Sequence, residues 1–210
     1  MVYAIEKITI IPLIKLWVKK ANGLENLPKD GAAILAANHL SYADHLIIGA
    51  YLATKVNRRF SFLAKKEYFQ GLQKYWYNYV GAIPLDRQKG GKSALRIALK
   101  ALKEGKLVII YPEGTRSLTG NLQKAKTGIA RLALLSRAPV LPIGLIGTFE
   151  ILPKGKYLPK FMRTTISIGK PLYFQEFYNK KINKKMLNEV TTRIMKEIAK
   201  LSNQKYNFRP

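Results

Sequence analysis

The sequence predicts an α/β domain built on a mainly parallel sheet flanked by helices, and three observations predict it. From residue 31 onward, short apolar runs alternate with longer amphipathic stretches, the pattern of strands joined by helical crossovers. Several of those runs are continuous enough to be buried on both faces, as strands of a parallel sheet are. Finally, 210 residues, 48% of them hydrophobic, supply one sizeable core rather than two.

The first element is the stretch "YAIEKITIIPLIKLWVKK". As a helix it presents Ile10, Ile11, Leu13, Ile14, Trp17 and Val18 over one wide face, with Thr9, Lys15 and Lys19 opposite. Its stretch without charge, Ile8 to Ile14, is far below the roughly 18 to 20 apolar residues of a membrane span. Glu6 precedes that run, and Lys15, Lys19 and Lys20 follow it, the reverse of a secretory signal. Residues 1–24 are therefore expected to form an amphipathic helix lying in the plane of a membrane interface. A helix that packs on its own domain fits the same pattern, and Pro12 bends or interrupts the element in either case.

Six strands are expected in "GAAILAAN", "RRFSFLAKK", "GAIPLD", "GKLVIIYPEG", "APVLPIGLIG" and "TTISIGKPL". Between them "ADHLIIGAYLATK", "GGKSALRIALKALKEGK" and "KAKTGIARLALLSRA" have helical spacing and end near Gly or Pro. Leu187, Val190, Ile194, Ile198 and Leu201 recur at intervals of three and four, which predicts a last helix from about Asn183 to Leu201. Residues 25–203 thus read as one domain, and 204–210, "NQKYNFRP" from Asn203 on, as a mobile tail.

Composition narrows the function. Thirty-seven basic residues against 12 acidic ones give a formal charge of +25, which attracts polyanions over a screening length of roughly 8 Å. Nucleic acid, an anionic membrane, a phosphorylated substrate and an acidic protein are all compatible with it. The chain has no cysteine, so disulfides, thiolate metal sites and a cysteine nucleophile are excluded. No Gly-x-Ser-x-Gly supports an acyl-serine. "DRQKGGKS" has Asp86 where a phosphate-binding loop requires its first glycine, and no basic-aromatic run matches a nucleic-acid recognition signature.

Chemistry in such a fold belongs at the carboxyl ends of strands, and three polar clusters fall there. At the first, "NHLSYAD" sets His39 five residues before Asp44. If strand turns into helix here, Asp44 can hold one ring nitrogen of His39 and leave the other basic, the arrangement of a general base. In the plainer alternative Asp44 only favours the helix dipole while His39 packs as a neutral residue. A metal site of His39, Asp44 and His45 lacks ligands to complete it, since His45 should point away from its neighbour, so no metal is expected. At the second cluster, Arg87 in "IPLDR" either binds an anion or pairs with Asp86. At the third, "YPEGTRS" joins Glu113, Gly114, Thr115 and Arg116. Gly114 permits close approach of a ligand and Arg116 can grip an oxyanion bidentately, or the segment is a turn with a solvated arginine. Lys126, opening a predicted helix, is either an anion ligand or a surface lysine.

Taken in order, "NHLSYAD", "GAIPLDR", "YPEGTRS" and "APVLPIG" resemble the four blocks of the glycerolipid acyltransferase family, which includes the 1-acyl-glycerol-3-phosphate (lysophosphatidic acid) acyltransferases. They run from Asn38 to about Gly144, and Tyr111 stands where the family more often has phenylalanine. The resemblance implies that His39 takes the proton from a free glycerol hydroxyl, that Asp44 orients the ring, and that the oxygen attacks an acyl thioester in one step. It further implies that Arg87 and the Glu113–Arg116 segment hold the phosphorylated acceptor, with backbone near the fourth block steadying the thioester oxyanion. No cofactor is required, because acyl-CoA or acyl carrier protein is the donor substrate. The expected partners are lysophosphatidic acid, that donor and an anionic membrane surface, not nucleic acid, and the expected location is the cytoplasmic face of the cell membrane. Acylation of another lysolipid, and a basic membrane-binding module without catalysis, are the alternative readings. Phe62, Phe69, Trp76 and Tyr79 are candidates for an acyl tunnel, for core or for an interfacial belt.

Overall fold

The computed structural model of the chain describes residues 10–58, 60–86, 88 and 90–208. Among them are seven strands: β1 (Val18–Asn22), β2 (Ala33–Ala37), β3 (Phe60–Lys65), β4 (Ala82–Leu85), β5 (Leu107–Ile110), β6 (Val140–Ile146) and β7 (Thr164–Ile168). They form one sheet in the order β1-β7-β6-β2-β5-β3-β4. Pairing is parallel throughout β6-β2-β5-β3-β4, antiparallel between β6 and β7, and parallel between β7 and β1. The mainly parallel α/β sheet is as expected, with two strands at one side running opposite to the rest.

The helices are α1 (Ile10–Trp17), α2 (Asp44–Leu46), α3 (Leu52–Val56), α4 (Gln73–Tyr79), α5 (Gly90–Lys103), α6 (Gly128–Ser136), α7 (Thr148–Ile151) and α8 (Lys184–Leu201), with a π-helical turn, Ile47–Tyr51, joining α2 to α3. Successive side chains of β2 feed different layers. Ile34 and Ala36 join Ala98 and Leu102 of α5, Ile129 and Leu132 of α6, and Val190, Ile194 and Ile198 of α8. Ala33, Leu35 and Ala37 join Ile14 of α1, Ile47 and Ile48 of the π turn, and Leu52 of α3. All five residues of β2 are buried, which accounts for its unbroken apolar run. Each large buried aliphatic contributes roughly 1.5–3 kcal/mol, so α8 is fastened chiefly by this stripe. Asn183 caps it, its side chain accepting from Met186 N at 2.9 Å. Gly144 lets β6 and α8 meet closely, because a Cβ there would stand 2.3 Å from the carbonyl carbon of Leu201.

Two expectations at the ends of the chain are corrected. The N-terminal segment, expected as helix through Val18 and Lys19, changes to strand at Val18, and β1 pairs with β7 through Ala21 and Ile166. Exposed Lys19 and Lys20 mark it as an edge strand, so the sheet takes in residues assigned above to the 1–24 segment. Ile14 is buried in the core, Trp17 and Val18 pack against it, and Leu16 is exposed; the side chains of Ile10, Ile11 and Leu13, on the same expected face, lie outside the described residues. At the other end, the described part of the 204–210 tail is tied down rather than mobile. Gln204 accepts from Leu122 N at 2.7 Å and donates to Gly120 O at 3.0 Å, and Tyr206 Oη accepts from Ala125 N at 3.1 Å. These polar side chains satisfy backbone groups of the 120–125 loop that would otherwise lack partners.

Candidate active site

β2 ends at a turn that Asn38 holds. Its amide donates to Leu145 O at 2.9 Å and accepts from Leu145 N at 2.8 Å, continuing the contact with β6 by side chain where the backbone turns away. Asp44 then opens α2 and folds back: one carboxylate oxygen, Oδ2, lies 2.8 Å from His39 Nδ1 and accepts from Leu40 N at 2.7 Å and Ser41 N at 2.8 Å. An acceptor already serving two backbone N–H groups assigns the proton of the third contact to His39 Nδ1. Nε2 is left with its lone pair. Asp44 is fully buried, whereas the His39 side chain is 17% exposed, so the ring reaches the surface of a cavity while its partner does not.

Three further contacts hold His39, one at its ring and two at its backbone. Tyr111 stacks on the ring with centroids 3.8 Å apart and planes inclined by 13°. The carboxylate of Glu113 accepts the backbone N–H of His39 at 2.9 Å, and His39 O accepts from Ser117 N at 2.8 Å. Ser41 Oγ donates to Leu152 O at 2.8 Å, anchoring the far side of the turn.

The cavity, of about 370 Å³, is lined by the polar side chains of His39, Tyr42, His45, Arg116 and Lys126 and by apolar ones that include Phe62, Leu95, Ala98 and Leu132. Arg116 lies over the Tyr42 ring at 3.3 Å, a cation–π contact that fixes its guanidinium in the wall. Lys126 crosses Gly114, where a Cβ would stand 3.1 Å from its Cε and where φ is +74°. Gly114 therefore combines a left-handed backbone with the close passage of a lysine, and both favour glycine.

The structure thus brings His39, Asp44, Gly114, Arg116 and Lys126 together, and it gives Glu113 a different task from the expected one. Glu113 is buried and does not line the cavity; Oε1 accepts from His39 N and Oε2 from Gln123 N at 2.9 Å and Gln123 Nε2 at 3.3 Å. It braces two loops. Burial pushes its carboxyl up, against the downward pull of the His39 and Gln123 N–H groups. Thr115 is exposed and also outside the lining; its carbonyl accepts from Gln123 Nε2 at 3.2 Å. Arg87 lies outside the described residues, and its neighbour Asp86 pairs with Lys66 at 2.8 Å. Of the aromatic tunnel candidates, Phe62 lines the cavity, with Tyr68 and Tyr77 beside it; Phe69, Trp76 and Tyr79 do not.

His45 and Tyr111 also line this wall, although the sequence marks neither as a site residue. His45, expected to point away, faces the same cavity as His39 and meets Phe62 at 5.0 Å. Burial lowers the His45 pKa to about 4, opposed by Asp44 and helped by His39 and Arg116, so this ring is neutral at pH 7. In the sequence Tyr111 stands out only as a departure from phenylalanine. Its hydroxyl is buried without a partner among the described residues, and burial raises its pKa well above 10. The stacking on His39 has no sequence signal, since 72 positions separate the two residues.

The arrangement can take a proton at His39 Nε2 in a cavity that also holds two cationic side chains able to attract an anion and several apolar ones. Among known proteins, residues 19–146 match the Acyltransferase family model. The chain is 30% identical over 188 residues, 88% of each chain, to the 1-acyl-sn-glycerol-3-phosphate acyltransferase of Bacillus subtilis. It is 34% identical over 152 residues to the chloroplastic 1-acyl-sn-glycerol-3-phosphate acyltransferase LPAT1 of Arabidopsis thaliana, a match spanning 70% of this chain and 40% of the plant protein. The crystal structure of the 1-acyl-sn-glycerophosphate (LPA) acyltransferase PlsC from Thermotoga maritima matches with a TM-score of 0.68 at 26% identity, over 94% of this chain and 82% of that one. By its match over residues 19–146 and its likeness to the Bacillus protein, the chain belongs to the acyltransferase family.

Proposed function

We propose that the protein acylates the free hydroxyl of 1-acyl-glycerol-3-phosphate from an acyl thioester, giving phosphatidic acid. The observation that carries this reading is the His39–Asp44 pair, Nδ1 to Oδ2 at 2.8 Å, with the His39 ring in a cavity wall that also holds Arg116 and Lys126. The names of its relatives point to the same acceptor.

In this reading His39 Nε2 takes the hydroxyl proton as the glycerol oxygen bonds to the thioester carbonyl carbon. The tetrahedral adduct collapses with cleavage of the C–S bond, and the imidazolium returns the proton to the leaving thiolate. The products are the ester and a free thiol, with no acyl-enzyme and no cofactor. Asp44 holds the Nδ1–H tautomer and stabilises the imidazolium. Arg116 and Lys126 grip the phosphate monoester, with Arg87 assigned to them on its motif alone, and the apolar lining takes an acyl chain; the cavity lies within the roughly 300–1,000 Å³ of ligand pockets. Acyl-CoA and acyl carrier protein both suit the basic surface as donors. No helix among the described residues is long and apolar enough to cross a membrane, and we place the enzyme peripherally on the anionic cytoplasmic face, where its acceptor resides.

The test is acyl transfer in mixed micelles with each donor, offering lysophosphatidic acid beside lysophosphatidylcholine, whose phosphate is a diester. Transfer to the monoester, with KM rising steeply in Arg116→Ala, supports the assignment. Equal use of both acceptors, indifferent to Arg116, would move it to another lysolipid.

A further inference from the structure

The proposed acyl transfer assigns no role to the segment between α7 and β7, "LPKGKYLPKFMR", none of which lines the cavity. Tyr157 is 91% exposed, Leu158 85% and Phe161 65%, and Met162 is exposed beside them. Lys154, Lys156, Lys160 and Arg163 are interleaved with these, and no acidic residue occurs between Glu150 and Glu176. Contiguous exposed apolar side chains of this kind mark an interaction surface rather than ordinary solvent-facing loop.

The segment is fastened to the candidate active site. Tyr42 N donates to Leu152 O at 3.0 Å, and Lys160 N returns to Ile151 O at 2.8 Å. Ser41 forms a bridge with Pro153, in addition to its hydroxyl bond to Leu152 O. Ser41 and Tyr42 lie between His39 and Asp44, so the root of the apolar loop is bonded to the turn that carries the proposed base.

We propose that the 153–163 loop is a membrane-docking surface, which inserts Tyr157, Leu158 and Phe161 into the interfacial layer of an anionic leaflet and so holds the cavity beside the lipid. A tip of two almost fully exposed apolar residues needs a fluid, deformable partner, or else a matching pocket on a rigid one. Tyrosine suits the headgroup level, and lysines on both sides can extend their amines to lipid phosphates while their stems follow the apolar residues. The inference rests on the proposed function only in that the acceptor resides in the same membrane, and it is separable from it by experiment.

The chain has no cysteine, so Leu158→Cys provides a unique site for an environment-sensitive nitrobenzoxadiazole label. With vesicles of phosphatidylcholine and phosphatidylglycerol, the label is expected to shift to the blue and brighten; with phosphatidylcholine alone, about tenfold more lipid should be needed. Tyr157→Ser/Leu158→Ser/Phe161→Ser should weaken vesicle partitioning, while transfer to a short-chain water-soluble acceptor and the thermal midpoint stay unchanged. A label that remains in water while the protein cosediments with anionic vesicles would overturn the proposal. So would blue-shifting by self-association without lipid, or by acidic acyl carrier protein in place of vesicles. Lipid insertion of the label together with absence of acyl transfer would instead sink the proposed function and leave the docking surface standing.

Discussion

Glu113 accepts the backbone N–H of His39 across 74 positions of sequence, at 2.9 Å, and with its other oxygen accepts from Gln123. The carboxylate thereby joins the turn that carries the proposed base to the loop that leads to Lys126. Glu113→Gln replaces one acceptor oxygen by a donor facing an N–H group. It should cost about 1–3 kcal/mol of stability and lower kcat more than it raises KM for lysophosphatidic acid. A pure KM effect would show that Glu113 touches the acceptor after all.

Asp44 serves three donors through one oxygen, so its loss is structural as well as chemical. Asp44→Ala should destabilise by about 2–5 kcal/mol, since buried N–H groups of Leu40 and Ser41 lose their partner. Asp44→Asn should unfold closer to the unmutated protein yet remain slow, because an amide no longer selects the Nδ1–H tautomer. Denaturation midpoints beside turnover rates check both.

Arg116 lies flat on Tyr42, a contact a lysine cannot reproduce in the same form. Arg116→Lys should therefore raise KM for the phosphate monoester by about tenfold, and Tyr42→Leu should have a smaller effect of the same sign. Initial rates against acceptor concentration measure this.

His45 has a folded pKa of about 4 against an ordinary 6.5, so the unfolded chain binds its proton first. The stability contributed by the neutral ring is complete above pH 6.5 and is lost as pH falls through 6.5 toward 4, by up to about 3 kcal/mol. Glu113, shifted upward by burial, has the opposite sign and recovers part of that loss as it protonates. In His45→Gln the decline between pH 6.5 and 4 should be shallower, as urea midpoints at several pH values would reveal.

Gly144→Ala places a methyl 2.3 Å from the carbonyl carbon of Leu201 and 2.5 Å from Ser202 N. The end of α8 must move, at about 1–3 kcal/mol, or roughly 2–12 °C in thermal midpoint. Gln204 and Tyr206 follow that helix onto the 120–125 loop, so activity should fall with stability.

What the sequence disclosed and what it withheld follow from the range of the interactions involved. Continuous apolar runs such as Ala33–Ala37 and Val140–Ile146 announce strands buried on both faces, and His39, Asp44 and Arg116 were legible as types of residue at strand ends. Strand direction is not carried by periodicity, so the reversal of β7 was invisible. β1, with two exposed lysines among its five residues, has no alternation to read and follows an apolar helix directly. Glu113 carries the same charge whether it binds substrate or braces a loop; only its burial and its N–H partners separate the two. The C-terminal "NQKYNF" looks like polar tail, yet Gln204 and Tyr206 satisfy backbone groups some 80 positions away.

The central claim is that His39 is the base. It is tested most directly by the single-turnover rate of acyl transfer to lysophosphatidic acid in unmutated protein and in His39→Ala, with the two thermal midpoints measured alongside. A fall of about 10²- to 10⁴-fold in a variant that unfolds at the same temperature is the expected result. A rate unchanged in the folded variant would contradict the account, whatever substrate is finally assigned.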